Sequence, residues 1–190
     1  MSSDVRIVPS EPRHMESFRA TLDAVARERR YLIIVEGPPL QRLQKFVADN
    51  LQRGGVQFFA VDDQDRVVGW CDVNRHQVEG YRHAGALGIG LLPAYRGRGV
   101  GARLALAAIN AARLNGVERI ELEVWASNVD AIALYHQLGF VEEGIRRRAR
   151  LLDGQYDDMV EMALLGAPAA YQGGSRDGSS ASPAVEPAAR

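Results

Sequence analysis

The strongest chemical signal in this chain is the run from Tyr95 to Gly101, which reads Y-R-G-R-G-V-G. An apolar run, Leu87 to Leu92, precedes it and ends at Pro93; a segment of helical periodicity, Ala102 to Leu114, follows it. A strand, a glycine-rich turn and a helix start, in that order, aim backbone N–H groups at one place. The first four N–H groups of a helix have no partner inside it, and the macrodipole adds partial positive charge there. Glycines at 97, 99 and 101 remove the side chains that would hold a phosphate away from the backbone. Arg96 and Arg98 add mobile cations at the rim. The chemistry this stretch suits is recognition of a phosphate or pyrophosphate.

Two common phosphate ligands fit the spacing poorly. A nucleotide-hydrolysing loop needs G-x-x-x-x-G-K-[ST], and Ala102 and Arg103 stand where its lysine and hydroxyl would be. A dinucleotide fold needs G-x-G-x-x-G with an acid about 20 residues on. Here the glycines follow Gly97-x-Gly99-x-Gly101 and Glu118 is a weak candidate for that acid. What fits is Arg96-x-x-Gly99-x-Gly101.

A second pattern follows at a fixed separation: Asn128-x-x-Ala131-x-x-Leu134-Tyr135-x-x-x-Gly139-Phe140. With both patterns in place, the chain from about Val67 to Leu165 resembles the GNAT superfamily of acyl-CoA-dependent N-acyltransferases. Gly144-x-x-Arg147 and Asp153-Gly154-x-Tyr156-x-Asp158-x-x-x-Met162 look like the members that acylate free amino acids or small amines. The resemblance implies an α+β fold, a mixed and mostly antiparallel sheet of about six to seven strands flanked by about four helices. It implies acetyl-CoA as co-substrate and a primary amine, a small molecule or amino acid, as acceptor, joined by direct attack in a ternary complex. Family members are often dimers, so a homodimer stays open.

The resemblance also assigns roles. Gly97, Arg98, Gly99, Val100 and Gly101, with Arg96, would hold the pyrophosphate. Backbone groups of the preceding strand, at Ile89 and Leu91, would meet the pantetheine arm in a break between this strand and the one at Arg119 to Val124. An N–H at Leu91 would polarise the thioester carbonyl, a kind of donor worth ~2.7–4 kcal/mol in rate. Asn128 would contact the cofactor arm, or cap a helix, or both. Tyr135 would meet the departing sulfur. A phenol near ~10 lies above a thiol near ~8.5, so complete proton donation is uphill by roughly 2 kcal/mol, and hydrogen bonding to the thiolate is the safer role. The alternative for Tyr135 is simple packing against Phe140.

Deprotonating the acceptor is the unresolved step. A lysine-like amine near ~10.4 costs about 4.6 kcal/mol to present neutral at pH 7, and an α-amine near ~8 only about 1. Many family members carry a Glu on the strand before the glycine turn, but Ala84 to Leu92 has no acid. Glu36, beside Pro38-Pro39, is the first candidate base, followed by Glu79 and His83. Competing readings are an acetyltransferase for a protein N-terminus or an antibiotic amine, and a CoA-binding sensor without turnover.

The elements that must position these groups are legible in outline. The chain has 190 residues, is 46% hydrophobic and carries a formal net charge of −1. That suits one domain, placed at 1–165, with no general affinity for nucleic acid or anionic membrane. Cys71 is the single cysteine, so no internal disulfide or Cys-based metal site is expected, and no His/Asp/Glu cluster has metal-ligand spacing. With no signal sequence and no spanning apolar run, a cytoplasmic protein is expected.

A strand at Val5 to Val8 and a helix from Ser10-Glu11-Pro12 to about Arg29, with Met15, Phe18, Leu22 and Val25 inward, come first. Leu40 to Leu51 reads as a second helix, with Leu43, Phe46, Val47 and Asn50 or Leu51 inward. Val56–Val61 and Val67–Val73 form a hairpin. Alternate glycines in the strand Ala84 to Leu92 point to a close approach to its backbone. The next helix has Val100, Leu104, Ala107, Ala111 and Leu114 as its inward stripe and ends at Asn115-Gly116. A closing hairpin turns at Asp153-Gly154. The run Arg146-Arg147-Arg148-x-Arg150 fits a solvated face better than an anion site. His14 and His136 are expected to be exposed. From 166 to 190 the Ala, Ser, Gly and Pro content predicts a disordered tail.

Overall fold

The computed structural model describes residues 5–166, so the expected tail lies outside the described residues except for Gly166. The elements are β1 (Arg6–Pro9), α1 (Met15–Arg27), α2 (Leu40–Gln52), β2 (Val56–Val61), β3 (Val67–Arg75), β4 (Ala84–Leu91), α3 (Val100–Leu114), β5 (Arg119–Trp125), α4 (Val129–Gln137), β6 (Val141–Leu152) and β7 (Gln155–Leu165). The seven strands form one sheet in the order β1-β2-β3-β4-β5-β7-β6. Among the described residues, β4 and β5 are the one parallel pair and the other pairs run antiparallel. This is the mixed α+β architecture the sequence implied.

Alternation along the strands sends side chains to two cores. On one face Leu104, Ala105, Ala108 and Ile109 of α3, with Tyr135 and Phe140 from α4 and its exit, pack on Val73, Ile120, Leu122, Val124 and Met162. On the other, Phe18, Leu22 and Val25 of α1 and Leu43 and Val47 of α2 pack on Phe59, Val61, Val67 and Trp70. Alanines at 105, 108 and 112, all fully buried, let α3 lie close to the sheet.

Several local expectations are corrected. Ser10 does not cap α1: its N–H donates to Gln57 O at 2.9 Å and continues the β1–β2 ladder, and a single turn of 3-10 helix at Pro12–His14 leads into the helix instead. Phe46, Leu51 and Leu114 are exposed, while Asn50 turns inward, its Nδ2 donating to Val56 O and Val73 O. The inward stripe of α3 is Val100, Leu104, Ala105, Ala108, Ile109 and Ala112, which rotates the expected face by about one residue. His14 is buried, its ring edge-on to Phe59 at 5.7 Å and Nε2 3.4 Å from Asp65. The Arg146–Arg150 run is, as expected, exposed from Arg146 to Ala149, with the half-buried Arg150 at its end. A bulge breaks the β6 register there; Arg146 pairs with Glu123 and Glu161, and Arg150 pairs with Asp157 and lies 4.2 Å over the Trp125 ring.

The turn chemistry acts as read. Asp153 and Gly154 both have positive φ, 51° and 77°, which matches the twist of a tight hairpin. The close approach in β4 is also real. A Cβ on Gly90 would lie 2.2 Å from the Trp70 ring, so only glycine lets that indole cross the strand.

Candidate active site

The strand β4 opens the site. Its ladder to β3 is fixed at both ends by His76 N–H to Ala84 O (3.1 Å) and Leu92 N–H to Val68 O (2.9 Å), with unbroken register between. In an antiparallel ladder alternate residues bond to one neighbour, so the even-numbered residues of β4 serve β3 and the odd-numbered ones face β5. The β4–β5 pairing covers only Ala84, Gly85 and Ala86 opposite Arg119, Ile120 and Glu121. Beyond that point the strands part. The backbone of Ile89 and Leu91 therefore looks into a gap, as expected, although Leu91 O is taken by Arg96 Nε at 2.9 Å and Nη2 at 2.7 Å.

The glycine turn closes one end of the gap. Gly97 (φ +68°) and Gly99 (φ +73°) are left-handed, and Gly99 is the N-cap of α3. The first backbone hydrogen bond after the turn is Arg103 N–H to Gly99 O at 3.2 Å. Among the described residues, the N–H groups from Gly97 to Ala102 have no backbone or side-chain acceptor. A Cβ on Gly97 or Gly99 would meet no protein atom within 4 Å. These glycines are thus set by backbone geometry and leave open space beside a row of unpartnered donors, which is what an anion requires.

Arg96 is not a free rim cation. Its guanidinium makes a bidentate pair with Glu28 at the end of α1, donates to Leu91 O and lies 4.6 Å over the Tyr31 ring. Those partners hold its charge firmly, the Glu28 hydrogen bond first. It ties the start of the turn to α1. Arg98 is exposed, and Val100 is buried as an anchor of α3.

Both ends meet in a cavity of about 1170 Å³, lined by Gly88 to Leu91, Gly97, Gly99, Gly101, Asn128 and Tyr135 among others. Asn128 caps α4, Oδ1 accepting from Ala131 N at 3.4 Å, and lines the cavity as well. Tyr135 is 6% exposed and tilts against Phe140 at 5.7 Å. It thus makes the packing contact and also lines the cavity. Its phenol is pushed well up, chiefly by burial and secondarily by the Cys71 thiol, so it stays protonated.

Glu36 is not brought to this site: it is exposed and does not line the cavity. Glu79 and His83 are exposed as well. Polar groups that the sequence reading did not single out do line it. His76 Nε2 lies 2.7 Å from Glu121, which Arg119 also holds. Burial alone would raise the Glu121 carboxyl, but the hydrogen bonds from His76 and Arg119 outweigh it and hold the group low. Their signal was the alternation of Glu121 and Glu123 with the apolar Ile120, Leu122 and Val124 along β5.

A model of the acetyltransferase (GNAT) family matches residues 21–140. The chain belongs to this family. It is 46% identical over 66 residues to the N-alpha-acetyltransferase RimI of Mycobacterium tuberculosis, covering 35% of this chain and 40% of that one. It is 30% identical over 132 residues to an N-alpha-acetyltransferase of Saccharolobus solfataricus, covering 65% and 75% respectively. The chain spans about half the length of several curated relatives. The fold matches that of yncA of Salmonella typhimurium, described as an acetyltransferase with its cofactor acetyl-CoA, at a TM-score of 0.81, 17% identity and coverage of 87% and 96%. No helix among the described residues is long and apolar enough to cross a membrane.

Proposed function

We propose that this chain transfers an acetyl group from acetyl-CoA to a primary amine of a small molecule or amino acid, by direct attack with both substrates bound. The observation that carries this reading is the row of unpartnered N–H groups from Gly97 to Ala102 at the mouth of the β4–β5 gap. The family and the open space over Gly97 and Gly99 support a pyrophosphate there. Acetyl-CoA supplies the thioester when bound.

The chain's own groups do the rest. Ile89 and Leu91 present backbone to the pantetheine arm, and the Leu91 N–H faces the gap where carbonyl charge would grow. Asn128 lines the arm's path while capping α4. The Tyr135 phenol, kept protonated by burial, gives a hydrogen bond to the departing sulfur. Arg96 acts indirectly, by fixing Leu91 O and the start of the turn.

A second reading, the α-amine of a protein N-terminus, is favoured by the names of two relatives, both N-alpha-acetyltransferases. A panel of free amino acids, small amines and an alanine-initiated peptide, incubated with acetyl-CoA and read by mass spectrometry, separates the two. Acetylated amino acids or small amines support the first reading, and acetylated peptide alone supports the second. Saturable acetyl-CoA binding with no thiol release for any member would instead make the chain a sensor.

A further inference from the structure

A trough runs along β4 on the face covered by α1 and α2. The residues of β4 on this face include Ala86, Gly88 and Gly90, so the strand raises almost nothing above its own backbone. Beside it, β3 carries Trp70, Asp72 and Asn74 on the same face, and His76 follows just past the end of the strand. Asp72 stands directly opposite Gly88, and both carboxylate oxygens are 3.4 Å from where a Gly88 Cβ would be. Gly88 lines the cavity, and Asp72 itself is buried. Asp72 does not itself line the cavity, but with no side chain at Gly88 only the space of a Cβ separates its carboxylate from a residue that does. β4, where family members often place an acid, has none.

We infer that Asp72 accepts the proton of the acceptor amine, reaching it across the Gly88 gap directly or through one water. The inference rests on the acetyltransferase reading above. An ammonium gives one proton to the Asp72 carboxylate. The freed nitrogen lone pair forms the C–N bond to the thioester carbon, the C–S bond breaks with its electron pair on sulfur, and the nitrogen's second proton ends on the thiolate. Asp72 then returns its proton to solvent, so one proton is released per acetyl group moved.

The surroundings suit that task. Facing Asp72 are Asn74, whose Nδ2 donates to it, and Gln57 of β2, paired opposite in register. Gln57 is 3% exposed, and neither polar atom of its amide has a partner among the described residues. The Cys71 thiol is next in the chain and is itself pushed up by burial. His76, farther along the face, is engaged by Glu121. No charged side chain from α1 or α2 shifts Asp72. Burial, opposed only by Asn74, pushes its carboxyl up to about 7, where a general base works best at neutral pH.

The test compares the parent protein with Asp72→Asn and Gly88→Ala, using acetyl-CoA and the amine panel above, with thiol release followed from pH 6 to 10. For Asp72→Asn, kcat/KM at pH 7 is expected to fall about 100-fold or more. The rise with pH centred near 7 should vanish, and acetyl-CoA Kd should stay within about twofold. The deficit should shrink above about pH 8, where an α-amine is already neutral. Gly88→Ala keeps the carboxylate but fills the gap, so a loss of about tenfold or more at pH 7 is expected with the fold intact by circular dichroism. Parental rate and pH profile in Asp72→Asn would overturn the assignment, and parental rate in Gly88→Ala would overturn the route. A parent that binds acetyl-CoA but releases no thiol with any amine would remove the acetyltransferase reading, and this inference with it.

Discussion

A buried carboxyl kept beside the cavity-lining Gly88 should leave a signature in stability as well as in rate. Asp72 is 6% exposed and has no cation beside it, so folding disfavours its ionised form. For a carboxyl raised on folding, the native state holds more protons than the unfolded chain between the two pKa values. Stability is therefore fully present below the ordinary value of 3.8 and is lost as pH rises to about 7. That span, at about 1.36 kcal/mol per pH unit, comes to about 4 kcal/mol. Asp72→Asn keeps the shape and abolishes the titration. Urea unfolding at pH 4, 6 and 8 should find the variant level with the parent at pH 4, within about 1 kcal/mol. It should be progressively more stable than the parent above that, by up to about 4 kcal/mol at pH 8. Parallel curves across pH, or a variant less stable at pH 8, would refute the reasoning. The parent then carries a destabilising group that only function explains.

Three other outcomes are expected. Tyr135→Phe removes a hydroxyl with no hydrogen bond among the described residues and leaves the Phe140 contact. Stability and acetyl-CoA Kd should hold while kcat falls about 10- to 150-fold, the equivalent of about 1.5–3 kcal/mol for a hydrogen bond to a charged sulfur; an unchanged kcat removes Tyr135 from the chemistry. Gly99→Ala forces a Cβ into a left-handed residue, which costs about 1–2 kcal/mol in thermal or urea unfolding. It also intrudes on the anion space, so acetyl-CoA Kd by calorimetry should rise at least about tenfold. Asp62 is 1% exposed and accepts from Gln64 N, Arg66 N and Arg66 Nε; burial would raise its carboxyl, but these bonds outweigh it and hold the group low. Its contribution is present above pH 3.8 and lost as pH falls below it; Asp62→Ala should cost about 1–3 kcal/mol in urea unfolding at pH 7 and much less at pH 2.

What the sequence showed and what it hid follow a physical line. Groups whose role depends on neighbours in the chain were legible: the glycine turn, Asn128 as a cap and Asp153-Gly154 as a hairpin turn. Groups whose role depends on a neighbour across the sheet or on another element were not. Arg96 read as a phosphate cation because Glu28, 68 residues away, is not visible from the motif. His14 read as exposed because its polar neighbours are local, whereas the Phe59 ring that buries it belongs to β2. Glu36 was favoured as base for its place near a Pro-rich connection, yet that connection turns it to solvent. Asp72 passed unremarked inside an apolar strand, since only the β3–β4 register sets it opposite Gly88. A lone carboxylate in one such strand and a glycine in the next were the available signal.

Backbone amide resonances of Gly97 to Ala102, followed by nitrogen-15 NMR during an acetyl-CoA titration, bear most directly on the central claim. Saturable downfield shifts of this row, reproduced in part by free CoA and absent with pantetheine alone, are expected if these amides grip the pyrophosphate. Saturable binding that leaves the row unmoved, or no binding at all, would contradict it.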